Sequence, residues 1–325
     1  MNRKLPWFAA AFFLVAPPLG AASKRARLLP NLLPGQTFTY LIRFQSDKTI
    51  KTESKVVAPM APNAPQLDAH GLWRVEILDV QQSATRPAIR ARGQFLTLGS
   101  DVSKNAPNEK NLDVNSQRPD PNLKSIEFTI SPDGSVNNIK GLDSVSPGQQ
   151  QVWQQWVARF ALAWTLPADG MKFGEKWKSE QPELARAPIT GLSWTRQSVY
   201  VRDEPCPSTQ LSITGDVSLL TGPSDTCAVL LTTAKLKQNS PAKDATPEDF
   251  KLHELGTRGT AKGTSEIITY ISLKTGLVVR ATEETSQSMD VVVAKADVSN
   301  RVHYNVDAKS HAEVLLVTEP LPRQP

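Results

Sequence analysis

The sequence predicts a mainly β protein of the α+β class: a curved antiparallel sheet or open barrel built from two similar halves, with one central amphipathic helix on its concave face. Three observations predict it. Strict apolar–polar alternation recurs along the chain, as in Phe38, Tyr40, Ile42 and Phe44, the pattern of a strand with one buried face. One stretch, 146–166, has helical periodicity instead. The order of strand-like runs before that stretch returns after it.

The chain divides into a leader over 1–22, an N-terminal β-rich half over 23–145, the central helix over 146–166, a C-terminal β-rich half over 167–318 and a frayed tail over 319–325. In the leader, Arg3 and Lys4 precede a short apolar run, and Gly20, Ala21 and Ala22 are small. This is the pattern of an export signal cleaved after Ala22. The run is too short for a permanent span, which needs about 20 residues. The expected location is periplasmic or secreted, with no transmembrane anchor after cleavage.

Without the leader, the 37 basic residues of the chain fall to 35 against 32 acidic ones. Charges of both signs are interspersed, so the composition makes no case for nucleic acid. The cluster around Arg25 and Arg27 reads as a tail. Cys206 and Cys227 are the two cysteines. In an oxidising compartment an even pair predicts a disulfide. It would close a loop of about twenty residues, worth about 3 kcal/mol.

The first strand is 36–44, ended by a turn at Ser46 and Asp47, with a weaker partner from Lys48 onwards. A further strand carries Trp73, Val75 and Ile77 on one face. Residues 88–98 follow, with Gly93 marking a bulge or bend. Ile126, Phe128 and Ile130 alternate before a tight turn at 131–134. The helix starts at Ser146, where Ser146 and Gln149 form a capping box and Pro147 occupies the first turn. Val152, Trp153, Trp156, Val157, Phe160, Ala163 and Trp164 share an arc of roughly 140°. Pro167 stops the helix.

After it, residues 174–177 echo 35–38, residues 192–201 echo the Trp73 strand, and 227–237 echo 88–98. Residues 207–225 form an excursion. A hairpin turns at Lys274, Thr275 and Gly276, matching the one before the helix. Short closing strands are expected at 289–295, 301–306 and 314–317, with His303 and His311 beside a turn.

No catalytic signature is present. His70, His253, His303 and His311 have no metal-ligand spacing, and His253-Glu254 lacks a second histidine. There is no G-x-S-x-G elbow. Gly256, Gly259 and Gly263 precede a strand, so they make no phosphate cradle. The sequence therefore reads as a non-enzymatic protein with no metal and no cofactor.

The segments PGQTFTY, FTISPDGSVNNIKGLD, LPADGMKFGEKW and GTAKGTSEIITYISLKTGLV together resemble a family of exported bacterial proteins of unknown function, often lipoproteins, with duplicated β-rich halves. This chain departs from the lipoprotein members in lacking an anchor cysteine at the end of the leader. The architecture is similar to periplasmic lipoprotein carriers and mycobacterial lipid-binding lipoproteins, which hold acyl chains between sheet and helix. The architecture suggests an apolar or lipid ligand, for which Trp153, Trp156, Phe160 and Trp164 of the apolar helix face are the candidate lining; no ligand residue is carried over from the resemblance, and the expected state is a monomer. The alternative is a structural or protein-interaction module of the envelope with a dry core.

Overall fold

The computed structural model describes residues 25–54, 67–82, 87–102, 125–131, 136–143, 157, 166–167, 169–183, 187–211, 217–220, 225–295 and 301–318. The strands are β1 Thr37–Ser54, β2 Leu67–Gln81, β3 Ala88–Val102, β4 Ile126–Ile130, β5 Val136–Lys140, β6 Lys176–Pro182, β7 Leu192–Pro205, β8 Ser208–Leu211, β9 Val217–Leu220, β10 Thr226–Gln238, β11 Leu255–Ser272, β12 Val278–Lys295 and β13 Arg301–Thr318. Eleven of them make one antiparallel sheet in the order β5-β4-β3-β2-β1-β13-β12-β11-β10-β7-β6. Among the described residues the sheet is not closed, and β5 and β6 are its edges. The fold is mainly β, as expected. The helix described over its whole span is short: α1, Glu248–Leu252.

The strands are longer than the alternation predicts. Ser46 and Asp47 make no turn; β1 runs through them, pairing Ser46 with Ser310 and Asp47 with Lys309. Opposite charges facing each other across a ladder are favourable, so polar residues there do not end the strand. The expected short closing strands are likewise two unbroken strands of 18 residues, β12 and β13. His303 and His311 therefore sit within β13, not beside a turn. His303 bonds Asp290 of β12 at 2.8 Å and faces Glu53 of β1 at 3.7 Å. His311 meets Glu284 at 2.5 Å.

The hairpin turn at Gly276 is where the sequence places it, with φ +72° and Ile271 paired to Val278. Gly93 has a different role from the one its position suggested. The register shifts in that ladder lie between Leu72 and Trp73, which pair with Thr97 and Phe95, and between Ile77 and Asp79, which pair with Ala91 and Arg90, while Gly93 pairs with Val75 between them. Gly93 instead makes room for the Trp73 indole, whose six-membered ring occupies the space a Cβ would take. Trp73 packs on Phe95, with ring centroids 4.7 Å apart.

Two turns leading into β1 and β6 share one hydrogen-bond set. Gly35 N–H donates to Ile77 C=O at 2.7 Å, and Ile77 N–H donates to Gln36 C=O at 2.8 Å. Gly174 N–H donates to Tyr200 C=O at 2.8 Å, and Tyr200 N–H to Glu175 C=O at 3.2 Å. In each turn the side chain after the glycine accepts a backbone N–H three residues back, Leu33 to Gln36 Oε1 and Lys172 to Glu175 Oε2. Both glycines have positive φ, +84° and +78°, which disfavours any residue with a Cβ.

The apolar face is covered at both ends. At one end Leu28 and Leu29 pack with Leu166, Met171, Tyr200, Leu230 and Ile271. The lead-in is held there by Arg25, which is no free tail: it meets Asp169 at 3.1 Å and Glu175 at 2.9 Å, and donates to the Gly170 carbonyl at 2.9 Å. At the other end Ile189 and Ala245 cover Leu192, Ala261 and Val291. A third cluster joins Trp73, Phe95, Phe128 and Ile130 to Val157, which is helical and fully buried. Of the residues predicted to form the helix's apolar face, Val157 is described and the others lie outside the described residues.

The Cys206–Cys227 disulfide is formed. It ties off the base of the excursion that carries the β8–β9 hairpin, and Cys206 N–H also donates to Asp225 C=O at 2.9 Å. From this base β8 reaches Val317 and Thr318 of β13 in parallel.

Two outcomes are expected. Gly93→Ala forces the Trp73 ring to move and lowers unfolding free energy by about 1–3 kcal/mol, read from urea midpoints. His303 has its pKa raised, first by the Asp290 hydrogen bond and then by the charges of Asp290 and Glu53. A raised folded pKa stabilises below the ordinary histidine value of about 6.5 and is lost as pH climbs through the folded value. The stability gap between the native chain and His303→Gln is therefore widest in acid and closes towards alkaline pH, measured by thermal unfolding across a pH series.

Candidate functional site

Period-2 alternation over paired strands stacks the inward side chains in rows across the sheet. One row reads Tyr200, Leu230, Thr269, Ala281, Val314 and Ile42, from β7, β10, β11, β12, β13 and β1. The next reads Ser198, Thr232, Ile267, Glu283, Ala312 and Phe44. Then come Arg196, Ala234, Ser265, Thr285, Ser310 and Ser46, followed by Trp194, Leu236, Gly263, Gln287, Ala308 and Lys48. Moving along the strands, the face changes from apolar to hydroxyl-rich.

The first row apart from Tyr200, the whole second row, and Arg196 of the third border a cavity of about 210 Å³. Its wall draws on β1, β2, β6, β7 and β10 to β13, and Leu166 and Leu277 contribute from the covered end. Strands several places apart in the sheet meet around one space, so this face is concave. The lining is mostly aliphatic and aromatic, including Tyr40, Phe44, Trp73 and Trp177.

Of the side chains in these four rows, Glu283, Arg196 and Lys48 carry charge. The opposite face has charges throughout: Arg43 and Arg280 bracket Glu313, His311 faces Glu284, and Asp47 faces Lys309. Glu283 accepts from Ser265 Oγ at 2.9 Å and Thr285 Oγ1 at 3.3 Å. Arg196 donates to Gln181 of β6. Ser198 and Thr232, both buried, share a hydrogen bond of 2.6 Å. Lys48 is half-buried, and burial lowers its pKa from the ordinary lysine value. Among the described residues no carboxylate meets its ammonium. Burial raises the Tyr40 phenol, and burial followed by Asp203 raises that of Tyr200, so both are neutral hydroxyls at ordinary pH.

The cavity supplies apolar surface and a few hydroxyls. Among the described residues no group of His, Cys, Asp and Glu is placed to hold a metal. No described helix is long and apolar enough to cross a membrane.

The residues predicted to line a cleft, Trp153, Trp156, Phe160 and Trp164, lie outside the described residues, as do the leader with Ala22 and the tail. Sequence reasoning found Tyr40, Ile42 and Phe44, which the structure places on the cavity wall. It missed Lys48, Arg196 and Glu283. The signal was present for Lys48: the even-numbered alternation continues through Ser46, and only the supposed turn concealed it.

By sequence, no family model and no curated protein matches the chain. Among solved structures it is similar to DynF from the dynemicin biosynthesis pathway of Micromonospora chersina, at 8% identity, over 94% of this chain and 92% of that one, with a TM-score of 0.17. A likeness at that score carries no argument about fold or function.

The Ser198–Thr232 pair gives a direct check on the polar band. Thr232→Val leaves the Ser198 hydroxyl buried without its partner and costs about 1–3 kcal/mol, whereas adding Ser198→Ala recovers most of it. Urea unfolding of the two single variants and the double variant reads this out.

Proposed function

We propose that the chain is an exported, non-enzymatic binding protein that holds an apolar or lipid ligand against the concave face of its sheet. One observation carries this reading: eight strands contribute to a single cavity, and its wall is dominated by apolar side chains such as Ile42, Leu230, Ile267 and Val314. Small-molecule sites are typically concave and apolar with a few placed polar groups. A closed cavity of about 150 Å³ with such a lining stays dry and accepts benzene-sized molecules, so this volume suffices for part of an acyl chain.

In this reading the 146–166 segment forms the predicted helix, and Trp153, Trp156, Phe160 and Trp164 extend the apolar wall. Leu166 at its end already borders the cavity, and Val157 is buried in the adjoining core. The leader pattern and the Cys206–Cys227 bond support export. The paired turns at Gly35 and Gly174 support descent of the two halves from one duplicated unit, in keeping with the resemblance to exported proteins with duplicated β-rich halves. The protein acts as a monomer, with no cofactor.

Native mass spectrometry of the mature protein, purified from its own envelope without detergent, tests the reading. A reproducible adduct of lipid mass, displaced by added fatty acid, is expected. Ile267→Trp fills the cavity and should abolish the adduct while leaving the circular dichroism spectrum unchanged. An apo mass that takes up no added lipid would overturn the reading and direct the search to protein partners.

A further inference from the structure

The placement of charge on the concave face says what kind of apolar ligand fits. This inference rests on the cavity reading above. Charged side chains are almost never buried without partners, because transfer from water is costly unless an opposite charge compensates. Glu283 has two hydroxyl donors, and Arg196 is engaged with Gln181. Lys48 stands on the same face, half-buried, with no carboxylate meeting it among the described residues.

The three groups are ordered along the strands. Ile42 lies in the apolar row, Phe44 opposite Ala312 in the Glu283 row, and Lys48 two rows beyond it, opposite Ala308. From Ile42 to Lys48 is six residues of strand, about 20 Å at ~3.3 Å per residue. Arg196 and Glu283 border the cavity and Lys48 lies beyond its lining, so an extended chain seated among Ile42, Leu230 and Val314 and running along β1 towards Lys48 would pass two cations and one hydroxyl-bonded carboxylate.

We infer that the ligand is an anionic amphiphile, an apolar chain ending in an oxyanion, and that Lys48 receives the oxyanion while Arg196 borders its approach. A neutral or cationic head would leave the half-buried Lys48 ammonium without a carboxylate partner among the described residues. A carboxylate or phosphate ester supplies the missing charge and accepts ammonium hydrogen bonds, which are stronger than neutral ones.

The test uses the full mature chain loaded with Nile red, a neutral apolar dye, displaced by hexadecanoate, hexadecyl phosphate or hexadecanol. The two anions are expected to displace the dye at concentrations about tenfold lower than the alcohol. Lys48→Met should remove most of that advantage, Lys48→Arg should keep it, and displacement by hexadecanol should be the same in all three proteins. Whichever anion leads identifies the head as carboxylate or phosphate. Equal displacement by anions and alcohol would overturn the head-group inference and leave the cavity reading standing, as would an anion advantage that survives Lys48→Met. Failure of the wild-type chain to bind dye or any of the three amphiphiles would overturn the cavity reading itself, and the inference with it. Unchanged Nile red affinity in the variants shows that they are folded.

Discussion

The structure depends on strict two-residue alternation carried over very long ladders. In a sheet with one buried face, a slip of one residue turns every side chain to the wrong side. Here β1 pairs with β13 from Thr39–Val317 to Ser54–Val302 without a register shift, and β12 pairs with β13 equally evenly. That regularity keeps Tyr40, Ile42 and Phe44 on the same side as Val314 and Ala281. It also keeps the convex face available for ion pairs such as Arg280 with Glu313 at 2.9 Å. The cavity, its polar band and the placement of Lys48 all follow from register rather than from any local motif.

Much of this was legible in particular residues. The strands containing Phe38 to Phe44, Trp73 to Ile77 and Ile126 to Ile130 could be read because each buries one face and leaves the other polar. The Gly276 hairpin and the disulfide were legible for similar local reasons. The extents of β1, β12 and β13 were not. Past Ser46, and again between Val306 and Val314, the strands leave the main apolar clusters, so neither face has strong alternation. What continues the strand there is pairing with neighbours hundreds of residues away, such as Asp47 with Lys309, and a local reading contains no record of the partner.

The same blindness applies to the site. Arg196 and Glu283 resemble any charged residue in a polar stretch. Their position on the concave face emerges only when β7 and β12 are set in register through β10 and β11. Gly93 shows the converse: the glycine was noticed, but its reason is the Trp73 ring from the neighbouring strand, not a kink in its own. The two-ended covering of the apolar face also needs distant segments, with Arg25 anchored near Asp169 and Glu175.

The β1–β13 ladder has a kinetic side. It joins residues about as far apart in the chain as the described structure allows, and β13 is the last of the described strands to be synthesised. Pairing of such high contact order is slow, because loop-closure entropy precedes the reward. Until β13 arrives, β1 and β12 each have a bare edge towards it, and the apolar rows are split between two unjoined sheets. Partly folded chains of this kind are open to aggregation. The last eighteen-residue strand thus acts as a keystone, and a chain cut short before Arg301 would have two exposed edges and no common concave face.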